Sequence, residues 1–268
     1  MNTQTLTLPE GTIAYELTGP ADGPLVVCAP GMGVTRSTFR YLAPTLADAG
    51  YRVATMDVRG HGESSLGWNE YSPTAVSHDV EALVRELGGP AVVIGHSFAA
   101  KSVSQLASRE PGLVSAMVIV GPAVEHSKPG AFLGTAAKMI TGNASLWTMY
   151  VKSLYPGDKP ADFAEDMAAL KASLSRKGGA KPVRALLDSF PEDPKVDLST
   201  VTAPTLIVMG TKDGDHSDPT AEAHRIASEL GGPTTVELSE GSGHYPHVDN
   251  AKTVGPVVVG FLNGLKEN

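Results

Sequence analysis

The feature that most constrains this chain is a repeated alternation of short, largely apolar runs with longer segments whose apolar residues return every three or four positions. Leu25 to Ala29, Arg52 to Met56, Ala91 to Ile94, Leu113 to Val120, Thr205 to Met209 and Thr234 to Leu238 form the short runs. A strand that is apolar at consecutive positions has no polar side to offer water, so it suits a sheet covered on both faces. Between these runs lie predicted helices near 37–49 (Phe39, Leu42, Leu46, Ala47), 74–87 (Val76, Val80, Leu83, Val84, Leu87), 98–109, 218–230 and 252–265. Strand, amphipathic helix and strand in succession make βαβ units, whose right-handed crossovers place helices on both faces of a mostly parallel sheet. Two short strands around Pro9-Glu10-Gly11, within residues 3–17, precede the pattern.

The alternation stops after Pro122 and resumes at Thr205. Residues 123–195 hold helical patches at 132–140, 144–154, 162–175 and 181–188, separated by turn signals at Pro129-Gly130, Pro156-Gly157, Gly178-Gly179 and Pro191, and show no buried-strand pattern. The expected organisation is one α/β core, 1–122 and 196–268, interrupted by a helical insertion at 123–195. The insertion carries an apolar set: Phe132, Leu133, Met139, Ile140, Leu146, Trp147, Met149, Tyr150, Leu154 and Tyr155. Part of that set must pack the insertion onto the core. The remainder, with Trp147, Tyr150 and Tyr155 as candidates, would line an apolar substrate pocket.

Composition excludes several classes. The 268 residues carry 21 Lys and Arg against 29 Asp and Glu, a net charge of −8, which lacks the basic footprint of a nucleic-acid binder. The single cysteine, Cys28, permits no intramolecular disulfide and sits in an apolar run, as a small buried hydrophobe would. The first residues show no basic region followed by an apolar core, and no apolar run approaches the roughly 20 residues of a membrane span. The expectation is a cytoplasmic protein acting on a small molecule, with no membrane partner.

Chemistry concentrates in Val93-Ile94-Gly95-His96-Ser97-Phe98-Ala99-Ala100. A buried strand ends in a sharp turn and a helix begins at once, with small residues, Gly95 and Ala99, where strand and helix approach. Ser97 stands at the tip. The Phe98 N–H that follows it lies at a helix N-terminus, aimed at any oxyanion formed beside Ser97. A serine hydroxyl is a poor nucleophile without a base to take its proton, so a histidine and an acid are required elsewhere. Read without that requirement, Ser97 is an ordinary helix N-cap.

This segment resembles the nucleophile elbow of the α/β-hydrolase superfamily, in which serine, acid and histidine follow in that chain order. The usual G-x-S-x-G is here Gly95-His96-Ser97-Phe98-Ala99, one methyl group larger at the last position. The resemblance implies that the loop Gly210-Thr211-Lys212-Asp213 carries the triad acid. Asp213 has the matching spacing, Asp215 is its main rival, and Asp218 suits a helix cap. It further implies that His244, in Gly241-Ser242-Gly243-His244, is the base. Ala29-Pro30-Gly31-Met32-Gly33 resembles the family's oxyanion loop, with Pro30 in place of the frequent histidine. Met32 N–H and Phe98 N–H are therefore the expected oxyanion hole. Met56-Asp57-Val58-Arg59-Gly60-His61-Gly62-Glu63-Ser64 resembles a structural turn, which makes His61 a scaffold residue.

Competing readings of these loops fail on chemistry. Gly31-Met32-Gly33 is no dinucleotide fingerprint, because Arg36 replaces the third glycine. His244 and His247 are no helical metal pair, because Pro246 intervenes and no third ligand stands out. His78 and His224 fall on predicted helices facing solvent, His96 is expected to pack, and His126 and His216 lie in loops near strand ends. No metal or organic cofactor is expected. The resemblance thus implies an α/β-hydrolase fold with a helical cap, and a serine hydrolase cleaving an ester, lactone or related acyl bond of a small, largely apolar substrate. Two other readings use the same residues. One is a ligand-binding or signalling protein of this fold with slow turnover. The other is different chemistry on the same triad, such as C–C bond hydrolysis or cofactor-free, haloperoxidase-like perhydrolysis. Serine at 97 argues against the dehalogenase and epoxide hydrolase branches, which place aspartate there.

Overall fold

A computed structural model of the protein describes residues 2–125, 139–157 and 159–266. The expected helical patch at 132–140 falls almost wholly outside this range, as do Phe132, Leu133 and His126. Eight strands form one sheet: β1 (Gln4–Leu8), β2 (Gly11–Thr18), β3 (Leu25–Ala29), β4 (Arg52–Met56), β5 (Ala91–His96), β6 (Val114–Val120), β7 (Thr205–Gly210) and β8 (Thr234–Ser239). Their spatial order is β1-β2-β4-β3-β5-β6-β7-β8. The hairpin β1–β2 joins the sheet antiparallel through β4, and every later pairing is parallel.

Consecutive residues of each central strand feed opposite faces. Val26, Cys28, Ile94, Val118 and Val208 join one core, while Val27, Val93, Ile119 and Ile207 join the other. Period-2 geometry with apolar residues at both phases is what makes the runs continuous in sequence. One core is closed by α2 (Pro73–Glu86) and α3 (Ala99–Arg109), with Val76, Val80, Leu83, Val103 and Leu106. Ala223 and Ile226 of α7 (Pro219–Glu229) belong to the same side. The opposite core is closed by α1 (Leu42–Asp48) and α9 (Ala251–Gly264), through Leu42, Leu46, Val254, Val258 and Leu262. A one-turn helix, α8 (Pro246–Asp249), precedes α9. The helix expected over 37–49 is divided. Arg36–Phe39 forms a 3-10 turn and α1 starts at Leu42, because the Arg36 N–H and guanidinium are both drawn to Asp57.

Between β6 and β7 the described residues contain α4 (Ala144–Ser153), α5 (Phe163–Ser175) and α6 (Lys181–Ser189), and no strand. Asn143 caps α4, its side chain accepting the N–H groups of Ser145 and Leu146. These helices lie over the loops that leave the sheet. Asp162 takes Arg40 Nε and the Tyr41 hydroxyl, each at 2.7 Å, and the Leu154 carbonyl accepts the His244 N–H at 3.2 Å. A third apolar cluster forms at this boundary, with Val34, Trp147, Val151, Leu154, Tyr155, Met167, Leu170, Tyr245 and Val248. Among the described residues, no helix is long and apolar enough to cross a membrane.

Candidate active site

Ser97 closes the turn between β5 and α3 with φ at +55°, the left-handed region, in which no other non-glycine residue among those described is found. Such a conformation costs about 1–3 kcal/mol and persists only where surrounding bonds overdetermine it. Here they do. Ser97 N–H donates to the Val120 carbonyl at 3.0 Å, and its own carbonyl accepts Ala100 N–H at 2.9 Å and Ala123 N–H at 3.1 Å. The small residues predicted at the elbow are needed: a Cβ on Gly95 would stand 2.6 Å from the Ala99 carbonyl oxygen and 2.7 Å from a Val103 methyl. Phe98, already in helical conformation, puts its amide at the N-terminus of α3.

The loops after β7 and β8 bring acid and base together. His244 Nδ1–H donates to Asp213 Oδ2 at 2.8 Å, with the two side chains 3% and 0% exposed. Gly121, at the end of β6, makes room, since a Cβ there would lie 2.8 Å from the His244 carbonyl oxygen and 3.4 Å from Asp213 Oδ2. Burial disfavours a charged imidazole, yet the facing carboxylates of Asp215 and Asp213 hold His244 above the ordinary histidine range. Burial would likewise raise Asp213, but His244 and the N–H of Asp215 keep its carboxyl below the usual range. Geometry separates the two acids: Asp213 Oδ2 accepts from Nδ1 at 2.8 Å, whereas Asp215 Oδ2 lies 3.5 Å from Nε2. The hydrogen bonds of the described residues include none between Ser97 Oγ and His244 Nε2, a contact that substrate-free sites often leave long.

Asp213, Asp215 and His244 also form a group whose potential ligand atoms lie within 4.8 Å of one another. Within this group His244 Nδ1 and Asp213 Oδ2 share the 2.8 Å hydrogen bond.

The loop expected to complete an oxyanion hole is clamped from two sides. Gly33 N–H donates to His61 Nε2 at 2.9 Å, and the Gly33 carbonyl accepts the Trp147 indole N–H at 2.8 Å. Gly33 has φ +70°, and a Cβ there would meet the Trp147 ring at 2.3 Å. His61 Nδ1–H donates to the Arg59 carbonyl, which fixes the tautomer, and burial lowers the pKa of His61 to about 4. His61 is therefore a neutral acceptor, the scaffold role read from the sequence. Asp57 organises the same turn, accepting the N–H of Arg36 at 2.8 Å and of Glu63 at 2.9 Å.

The sequence model of the alpha/beta hydrolase family matches residues 26–255. The chain belongs to this family. Among its relatives, proline iminopeptidase PfmaB of Pestalotiopsis fici is 27% identical, covering 88% of this chain and 91% of that protein. The monoacylglycerol lipase of Mycolicibacterium smegmatis is 32% identical over 75% of each chain. A thermophilic esterase from Thermogutta terrifontis superposes with a TM-score of 0.83 at 18% identity, over 99% of both chains, and so shares the fold.

The three candidate pocket residues of this alpha/beta hydrolase sit in different surroundings. Trp147 is 5% exposed and holds the Gly31–Gly33 loop. Tyr155 is 3% exposed and stacks on Tyr245, ring centroids 4.7 Å apart. Tyr150 is the one whose polar end reaches the triad loops, its hydroxyl donating to Asp215 Oδ1. A space of about 540 Å³ beside α5 is lined by Arg36, Arg40, Glu63 and Arg176 and by none of Ser97, Asp213 and His244. His96, expected from the sequence only to pack, also makes a polar contact that the sequence did not show. His96 Nε2–H donates to the His244 carbonyl at 3.0 Å, and its ring lies 4.9 Å from that of His244. No spacing rule links positions 148 apart; adjacency to Ser97 was the only available signal.

Proposed function

We propose that this chain is a serine hydrolase that cleaves an ester-like bond of a small, largely apolar substrate through Ser97, His244 and Asp213. The observation that carries the reading is the His244 Nδ1–Asp213 Oδ2 bond of 2.8 Å, formed in the fold that holds Ser97 at φ +55°. That bond keeps the proton on Nδ1 and leaves the Nε2 lone pair as the base. His244 takes the Ser97 proton as the hydroxyl oxygen attacks the carbonyl, and Asp213 stabilises the imidazolium. The Met32 and Phe98 amides receive the oxyanion. His244 then protonates the leaving group, and water, activated by the same nitrogen, releases the acid. The helices within 123–195 act as a cap over this site, with Tyr150 facing it. The relatives' names range from an iminopeptidase to a lipase, which fits acyl transfer and leaves the leaving group open.

Turnover of p-nitrophenyl acetate and butyrate by wild type and Ser97→Ala, with a fluorophosphonate probe, tests the reading. Multiple turnover lost in the variant, with label on Ser97, is expected. A wild type that neither turns over nor labels would replace the reading with a ligand-binding role, and a variant with full activity would remove Ser97 from the mechanism.

A further inference from the structure

Asp215 does not fit a simple three-residue system. It follows Asp213 by two positions, and the two carboxylates flank the His244 ring on opposite nitrogens, at 2.8 Å from Nδ1 and 3.5 Å from Nε2. Asp213 Oδ1 accepts the Asp215 N–H at 3.0 Å, which fixes the second acid relative to the first. Asp215 Oδ1 is taken by the Tyr150 hydroxyl from α4, so the carboxylate bridges a cap helix and the catalytic histidine. A loop acid without function would turn both oxygens to water. This one has a side chain 31% exposed, and its two oxygens face the Tyr150 hydroxyl and His244 Nε2.

We propose that Asp215 is a positioning residue for His244: it faces Nε2 and competes with Ser97 for that nitrogen, and the Tyr150 hydroxyl that clasps it weakens its hold. The inference rests on the Ser97–His244–Asp213 reading. Nε2 has one position to offer. It either accepts the Ser97 proton or, already protonated, faces Asp215, so every molecule in the ion-paired state lacks a base. The other titratable rings nearby are His96 at the end of β5 and Tyr245, with centroids 4.9 and 5.2 Å from that of His244, and His247 of α8 behind them. Burial keeps His96 and His247 neutral and the Tyr245 phenol protonated. The charges that bear on His244 are thus those of Asp213 and Asp215. Tyr150 tunes the second, because a phenol donating to Oδ1 withdraws electron density from the carboxylate that Nε2 faces.

The two partners of the clasp should act in opposite directions. Asp215→Asn removes a negative charge from Nε2, so the acid limb of kcat/KM should move to lower pH by about 0.5–1 unit, tempered by the exposure of the site. Tyr150→Phe removes the donor and leaves the full carboxylate charge on Nε2, so the limb should move to higher pH. The double variant should behave as Asp215→Asn. Profiles of p-nitrophenyl acetate hydrolysis give one readout. The ring resonances of His244 in the free protein, assigned by their loss in His244→Gln, give a second that needs no turnover. Opposite shifts in both readouts support the proposal. Shifts of the same sign, or a His244 titration unmoved in folded Asp215→Asn, would overturn it. If wild type hydrolyses nothing while the His244 titration still shifts as stated, the hydrolase reading fails and the Asp215 contact stands.

Discussion

Ser97 is expensive to hold where it is, and the residues around it explain what the strain accomplishes. A left-handed serine lifts its hydroxyl off the strand end while Phe98 starts a helix behind it, so hydroxyl and amide share one turn. The charge of His244 is set by the carboxylates that face it. Because His244 is held above the ordinary histidine range and must be neutral to act, kcat/KM should fall on the acid side with an apparent pKa above about 6.5. A profile flat down to pH 6 would show that the two carboxylates do not govern the ring. Asp213→Asn should keep the fold and lower kcat about 10³–10⁴-fold, since an amide can accept Nδ1–H but cannot stabilise the imidazolium. Fold retention with less than a tenfold loss would move the acid's role elsewhere. These consequences were half legible beforehand. The order of Ser97, Asp213 and His244 could be read from the chain, but which nitrogen of His244 each acid would face could not, because that depends on the orientation of the ring.

At the scale of elements, the Gly31–Gly33 loop depends on partners that the chain supplies from far away. His61 holds Gly33 from the turn after β4, and Trp147 of α4 holds it from the opposite side. Trp147→Phe keeps most of the buried area and removes the one N–H donor. Its melting temperature should stay within a few degrees of wild type while kcat falls about tenfold, as the loop loses its register. Equal loss of stability and rate would mean that Trp147 serves packing alone. Gly33→Ala is a harsher change, requiring φ +70° of an alanine and a methyl within 2.5 Å of three indole atoms. It should lower kcat about 100-fold and also destabilise the protein, as steady-state kinetics and thermal melting would show. The helices α4, α5 and α6 were visible in the sequence as periodic patches. Their seats, such as Asp162 on Arg40 and Tyr41, were not, since those bonds join positions more than 120 apart.

For the whole molecule, the buried imidazoles set the response to acid. His61 is lowered to about 4 and His247 to about 3, with burial as the leading cause in both. Each is neutral when folded and takes a proton near pH 6.5 when unfolded, so the unfolded chain binds more protons as pH drops. Stability should therefore fall from about pH 6.5 downward, and for His61 level off only below about 4. His244 acts in the opposite sense, its raised value giving stability that is present below pH 6.5 and lost as pH climbs through the folded value. The lowered rings outnumber it, and Asp213, lowered by its partner, loses its contribution at still lower pH. For His61 alone, the change between pH 6.5 and pH 5 is about 2 kcal/mol. Urea unfolding at pH 7 and pH 5 should show at least that loss, reduced in His61→Gln. Equal stability at both pH values would mean that these rings are not buried neutral.

The sequence by itself determined the layered fold and the order of the chemical loops. Both are one-dimensional properties: strands buried on two faces must be apolar at successive positions, and a serine between strand and helix needs small neighbours at fixed offsets. Only the tertiary structure decided which groups share a hydrogen bond. That includes Asp213 on Nδ1 and Asp215 near Nε2, His96 under the His244 carbonyl, and Trp147 on Gly33. Such contacts depend on distances of a few tenths of an ångström between segments far apart in the chain, and no periodicity or local spacing encodes them.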